Sequence, residues 1–247
     1  MKEQIRLNKF LASCGVCSRR DADILIQKGV VTIDGKVAQM GQTVTGDECI
    51  AVRGKVLTGK QKTAVLAYYK PVGITCSERD AHAEKLIMDR IKYPVRLTYA
   101  GRLDKESEGL MILTNDGDLI HAMMKGANGH EKEYIVKVQK EITEEFLQKM
   151  SEGLYLKELD ITTRPCEIKK IGKYTFSIIL TQGVNRQIRR MCKALGYQVT
   201  SLKRIRIMNV LLDDLQPDKW RELKGFELET LYRIAGLNPQ KNEQIQK

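Results

Sequence analysis

The chain has 247 residues, 42% hydrophobic and 30% charged, which suits one large or two smaller globular domains and excludes disordered, collagen-like and low-complexity classes. Its longest apolar runs, such as residues 110–113, fall far short of the ~20 residues that cross a bilayer, and the opening MKEQIRLNKF lacks the apolar stretch of a secretory signal, so a cytoplasmic protein without a membrane partner is expected. Forty-two Lys and Arg against 31 Asp and Glu give a net charge of +11, which favours a polyanionic partner, nucleic acid first.

Residues 1–62 read as a small unit. Leu7, Phe10, Leu11 and Cys14 fall at helical spacing. Ser18 is an N-cap with Asp21 three residues on, ahead of an apolar face of Ala22, Leu25 and Ile26 and a stop at Gly29. Residues 30–33 are a β-branched strand, Asp34-Gly35 is a hairpin turn into Lys36-Val37, and Ile50–Val52 is another strand. Arg6, Lys9, Arg19 and Arg20 lie along the helices as candidate phosphate contacts. Cys14 and Cys17 form a C-x-x-C, but no second pair or nearby His completes a zinc site, and His82, His121 and His130 are scattered. Buried free thiols are expected, with no metal and no disulfide.

The polar stretch 52–62 is the linker candidate, and a second unit spans 63–237, followed by a polar tail at 238–247. In it Tyr134, Val136 and Val138 share one strand face, and Tyr174, Phe176, Ile178 and Leu180 share another. Residues 143–150 open with two acids, as a helix N-terminus should. Asn185 is a candidate cap for a helix that buries Ile188, Met191, Cys192 and Leu195 and ends before Gly196. Strands and helices that mix without regular alternation predict an α+β domain on a mostly antiparallel sheet. Residues 164–206 hold eleven Lys or Arg against one acid, Glu167, a surplus that repels itself unless a polyanion neutralises it.

Residues 100–119 read AGRLDKESEGLMILTNDGDL, in which Gly101, Gly109 and Gly117 bracket a polar turn, an apolar run and an N-D-G turn. Asp104 sits beside Arg102 ahead of a buried strand. An aspartate in such a loop is usually turn chemistry, but one held by a cationic partner stays ionised and can act as a nucleophile.

These pieces resemble the RsuA/RluB/RluE/RluF family of pseudouridine synthases, which isomerise uridine in ribosomal RNA. GRLDKESEGLMILTNDGDL resembles the family signature, YKPVG the segment before the catalytic loop, and HEKEYIV the strand with the active-site tyrosine. GVNRQIRRMC resembles the third motif, and the N-terminal RLNKFLASCGVCSRRDADILIQKGVVTIDGK is similar to an S4 RNA-binding domain. The resemblance implies an S4 unit followed by a synthase domain, acting as a monomer without cofactor or metal. It leans, through HEKEY and NRQIRRMC, to members that modify large-subunit (23S) rRNA, with tRNA as a second candidate substrate. It further implies that Asp104 is the nucleophile, that Tyr134 packs against the target uracil and is a candidate for proton transfer, and that Arg189 pairs with Asp104. Arg102 and Lys105 would orient the RNA backbone, and Arg186, Arg190, Lys193, Arg204 and Arg206 would contact phosphates. Two other readings compete. One is a non-catalytic RNA-binding or ribosome-assembly protein, which has no need of an anionic Asp104. The other is an N-glycosidic hydrolase pairing Asp104 with Glu106 or Glu108, acids more simply read as solvent charge.

Overall fold

A computed structural model of the chain describes residues 4–77 and 86–238; His82 and the tail beyond 238 lie outside them. In chain order the elements are β1 (Ile5–Arg6), α1 (Leu7–Ser13), α2 (Arg19–Gln27), β2 (Val31–Ile33), β3 (Lys36–Val37), β4 (Thr43–Val44), β5 (Ile50–Val52) and β6 (Lys55–Val56). There follow β7 (Val65–Lys70), β8 (Thr98–Tyr99), β9 (Glu108–Thr114), α3 (Gly117–Met124), β10 (Lys132–Val138), α4 (Glu144–Glu152), β11 (Tyr155–Leu156) and β12 (Ile161–Thr162). The chain continues through β13 (Glu167–Gly172), β14 (Thr175–Leu180), α5 (Gln187–Ala194), β15 (Val199–Ile207), β16 (Val210–Leu211), β17 (Trp220–Glu222) and α6 (Gly225–Ile234).

The N-terminal unit packs α1 and α2 on a sheet of order β3-β2-β5-β6 through Leu7, Phe10, Leu11, Ala22, Ile26 and Val31. The expected local signals act as read. Ser18 Oγ accepts from the Asp21 N–H, and Asp34 and Gly35 both take positive φ in the turn. The linker reading of 52–62 needs correction, because Arg53-Gly54 makes a second tight turn and Lys55–Val56 pairs back on β5. Cys14 and Cys17 are half-buried rather than buried, and burial is the first cause pushing both thiols up, which keeps them unreactive.

The second unit is a mixed nine-stranded sheet whose main path runs β13-β14-β10-β15-β9-β7-β17, antiparallel except where β15 runs parallel to β9. Its centre is covered on both faces. Val65, Ala67, Leu110 and Ile112 pack towards α3 and α6, while Leu66, Tyr68, Met111 and Leu113 pack against Ile74, Ile87 and Leu97. Helices α4 and α5 cover β10 and β14 through Phe146, Met150, Ile188 and Met191.

Two helix starts differ from the sequence reading. The N-D-G segment is no free turn, since Asp116 caps α3 by accepting from the Asp118 and Leu119 N–H groups, and Asn115 ties down the incoming chain at Lys62 and Ala64. At α5 the cap position is held by Arg186, at φ +53, instead of Asn185. Gly109 is required where β9 meets β15. A Cβ there would stand 2.2 Å from the Arg204 carbonyl oxygen, so only glycine lets the two strands approach.

The two units touch. Lys9 on α1 pairs with Asp118 at the start of α3, 2.7 Å away, and a Cβ on Gly117 would meet the Arg19 guanidinium at 3.2 Å. Two of the basic residues expected on phosphates therefore face the second unit.

Candidate active site

The loop from Ala100 to Ser107 joins the paired strands β8 and β9 and carries Asp104. Its backbone is fixed at four successive carbonyls. Asp104 O accepts from the Ser107 N–H at 3.1 Å, Lys105 O from the Gly73 N–H at 2.8 Å, Glu106 O from Arg189 Nη2 at 3.1 Å, and Ser107 O from Lys70 Nζ at 2.7 Å. Arg189 Nη2 also donates to Ser107 Oγ at 3.1 Å. Polar loops are normally mobile, and this degree of anchoring fixes the backbone from which the Asp104 side chain projects.

Lys70 ends the apolar strand β7 and is fully buried, donating also to Pro71 O at 2.8 Å. Burial is the first cause holding its ammonium below the usual lysine range. The sequence reading quoted YKPVG without giving Lys70 a role; the available signal was a lysine closing an apolar run directly before proline.

Two arginines from the α5 segment approach one oxygen of Asp104. Arg189 Nε stands 3.8 Å and Arg186 Nη1 3.6 Å from Oδ2. Among the described residues the cations that approach Asp104 are therefore Arg189 and Arg186, and no ion pair with its neighbour Arg102 is formed. Arg186 also donates to Glu106 at 2.7 Å, and that bond is the first cause of the lowered Glu106 carboxyl.

Asp104 lines an open cleft of about 520 Å³, within the size range of small-ligand sites. Arg102 and Lys105 line it and are exposed; half-buried Tyr134 on β10 also lines it and is paired in register with Arg204 on β15. Lys132 and His130 line the same wall, and burial is the first cause lowering both. Among the described residues, every charged residue in the lining apart from Asp104 is Lys or Arg.

The other basic residues divide. Arg204 is only 2% exposed, with Nε donating to Leu110 O at 2.7 Å, so it braces the β15–β9 junction and adds charge beneath the cleft instead of meeting phosphates at the surface. Arg206 pairs with Glu131 and Glu133, and Arg190 and Lys193 with Glu158. Arg6 and Arg20 are exposed on the N-terminal unit.

Comparison with known proteins accounts for this arrangement. The RNA pseudouridylate synthase family model matches residues 64–194, and the S4 domain model matches residues 5–48. The chain belongs to the RNA pseudouridine synthases. It is 42% identical to the dual-specificity RNA pseudouridine synthase RluF of Salmonella typhi over 93% of this chain and 79% of that one. It is 33% identical to the ribosomal large subunit pseudouridine synthase B of Vibrio cholerae over 96% and 77%. A solved pseudouridylate synthase structure superposes with a TM-score of 0.68 at 29% identity, covering 92% of this chain and 99% of the other. As a pseudouridine synthase with an S4 domain, the chain is an RNA-modifying isomerase. No helix among the described residues is long and apolar enough to cross a membrane.

Proposed function

We propose that this synthase converts uridine to pseudouridine at a defined position of large-subunit (23S) rRNA, with Asp104 as nucleophile. The observation that carries the reading is Asp104 itself, a carboxylate on a loop anchored at four successive carbonyls, approached by Arg186 and Arg189, in a cleft whose other charged residues, among those described, are all Lys or Arg. The names of the relatives, RNA and large-subunit pseudouridine synthases, support rRNA as the substrate class. A tRNA is the second candidate, in keeping with the dual specificity of the RluF relatives.

The chemistry asks for little else. The N1–C1′ bond breaks, the freed uracil turns, C5 bonds to C1′, and the proton lost from C5 is matched by one gained at N1. Nothing is oxidised or consumed, so the reaction calls for no cofactor. Asp104 acts on the sugar, on the ring, or through elimination to a glycal; all three routes need a carboxylate held beside the glycosidic bond. The target base must leave its stack, at a cost of a few kcal/mol, and Tyr134 supplies a ring to pack against it. Arg189 holds the carboxylate and its loop together. Arg102 and Lys105 lie exposed in the cleft to meet backbone phosphates. A cytoplasmic monomer completes the proposal.

The test is a pseudouridine map. Unmodified large-subunit rRNA is incubated with the purified protein, labelled with carbodiimide and read by primer extension. One new stop is the expected result; tight binding with no stop would turn the assignment to another RNA.

A further inference from the structure

At the mouth of the cleft Arg186 Nη1 donates to the Glu106 carboxylate at 2.7 Å while standing 3.6 Å from Asp104. The pair is open to water, with side-chain exposures of 40% for Arg186 and 60% for Glu106. A carboxylate here is out of place for binding a polyanion, because among the described residues the charged lining beside it, Asp104 apart, is all cationic. Its backbone is held, since Glu106 O is fixed by Arg189 at 3.1 Å, so only the side chain is free to swing. Arg186 is likewise tied at its backbone, its carbonyl accepting from the Arg190 N–H at 2.9 Å where α5 begins.

We propose that Glu106 is a placeholder for a backbone phosphate of the substrate strand, and that Arg186 exchanges the carboxylate for that phosphate when RNA enters. The inference rests on the reading of the Asp104 cleft as the site of isomerisation. An exposed carboxylate pair is weak and easily opened, whereas an arginine can meet a phosphate through two parallel hydrogen bonds. The exchange raises the threshold for RNA that presents no phosphate at this spot, so Glu106 adds selectivity at the expense of affinity.

Filter binding of unmodified large-subunit rRNA to the full-length protein tests this. Glu106→Gln should bind about fivefold tighter, and Arg186→Gln about tenfold weaker. In the double variant the gain from Glu106→Gln should vanish, because its partner is gone. Unchanged affinity in Glu106→Gln, or a gain that persists without Arg186 as a plain loss of negative charge, would overturn the proposal. This cycle is independent of turnover. An Asp104→Asn variant that still makes pseudouridine overturns the reading of Asp104, while a flat binding cycle removes only the placeholder.

Discussion

Arg189 Nε stands 3.8 Å from Oδ2 of Asp104, and among the described residues that buried nitrogen has no hydrogen-bond partner. The same guanidinium anchors the loop through Glu106 O and Ser107 Oγ. One side chain therefore sets both the backbone and the carboxylate of the proposed nucleophile. The Nε–H needs only a small closing movement to bond Asp104, of the kind that accompanies substrate binding.

Replacing Arg189 should therefore act on turnover more than on affinity. Arg189→Ala is expected to lower kcat about a hundredfold, with KM changing much less. Arg189→Lys should recover little, because the three donors of an ammonium radiate from one atom, whereas Arg189 faces the loop through Nη2 and the carboxylate through Nε, two nitrogens held apart by the planar guanidinium. Single-turnover kinetics alongside RNA binding will read the split. A lysine variant with near-wild-type kcat would reduce Arg189 to a source of charge.

The approach of β9 to β15 predicts a stability defect. Gly109→Ala drives a Cβ to 2.2 Å from the Arg204 carbonyl at a φ of +112. About 3 kcal/mol or more should be lost, measured by denaturant unfolding. Gly183→Ala is the control, since a Cβ there meets nothing within 4 Å. Equal stability of the two variants would show that the strands separate readily at this junction.

These contacts mark where the sequence is legible. Ser18 and the Asp34-Gly35 turn were readable because a cap and a hairpin are settled by residues a few positions apart. Asp104, Tyr134 and Arg189 are singled out by motif resemblance alone, and the fold brings Asp104 and Tyr134 to one cleft with Arg189 3.8 Å from Asp104. Lys55–Val56 and α3 were missed for a different reason. Arg53-Gly54 and Asn115-Asp116-Gly117 look like plain loops until the partner strand and the helix they start are in place. Arg204 defeats any local reading. A basic residue within a basic stretch reads as surface, and only the parallel pairing with Gly109, more than ninety positions away, buries it.

Helix α5, which carries Arg189, should weaken in alkali. Burial pushes the Cys192 thiol up to about 12 from a usual value of 9.0. A folded pKa above the unfolded one means that the stabilisation is whole below pH 9.0 and lost as pH rises towards 12. Across that window wild type should lose stability relative to Cys192→Ala by about 1.4 kcal/mol per pH unit, read from denaturant midpoints. Parallel curves for the two proteins would mean that the thiol is not shielded from solvent.

The most direct test of the account is Asp104→Asn, assayed on unmodified large-subunit rRNA by carbodiimide mapping with RNA affinity measured in parallel. The isostere leaves the loop anchors at Asp104 O, Lys105 O, Glu106 O and Ser107 O in place. Affinity should stay within a few fold of wild type while the pseudouridine stop disappears. A stop that forms at an undiminished rate in Asp104→Asn would contradict the assignment of Asp104 as nucleophile.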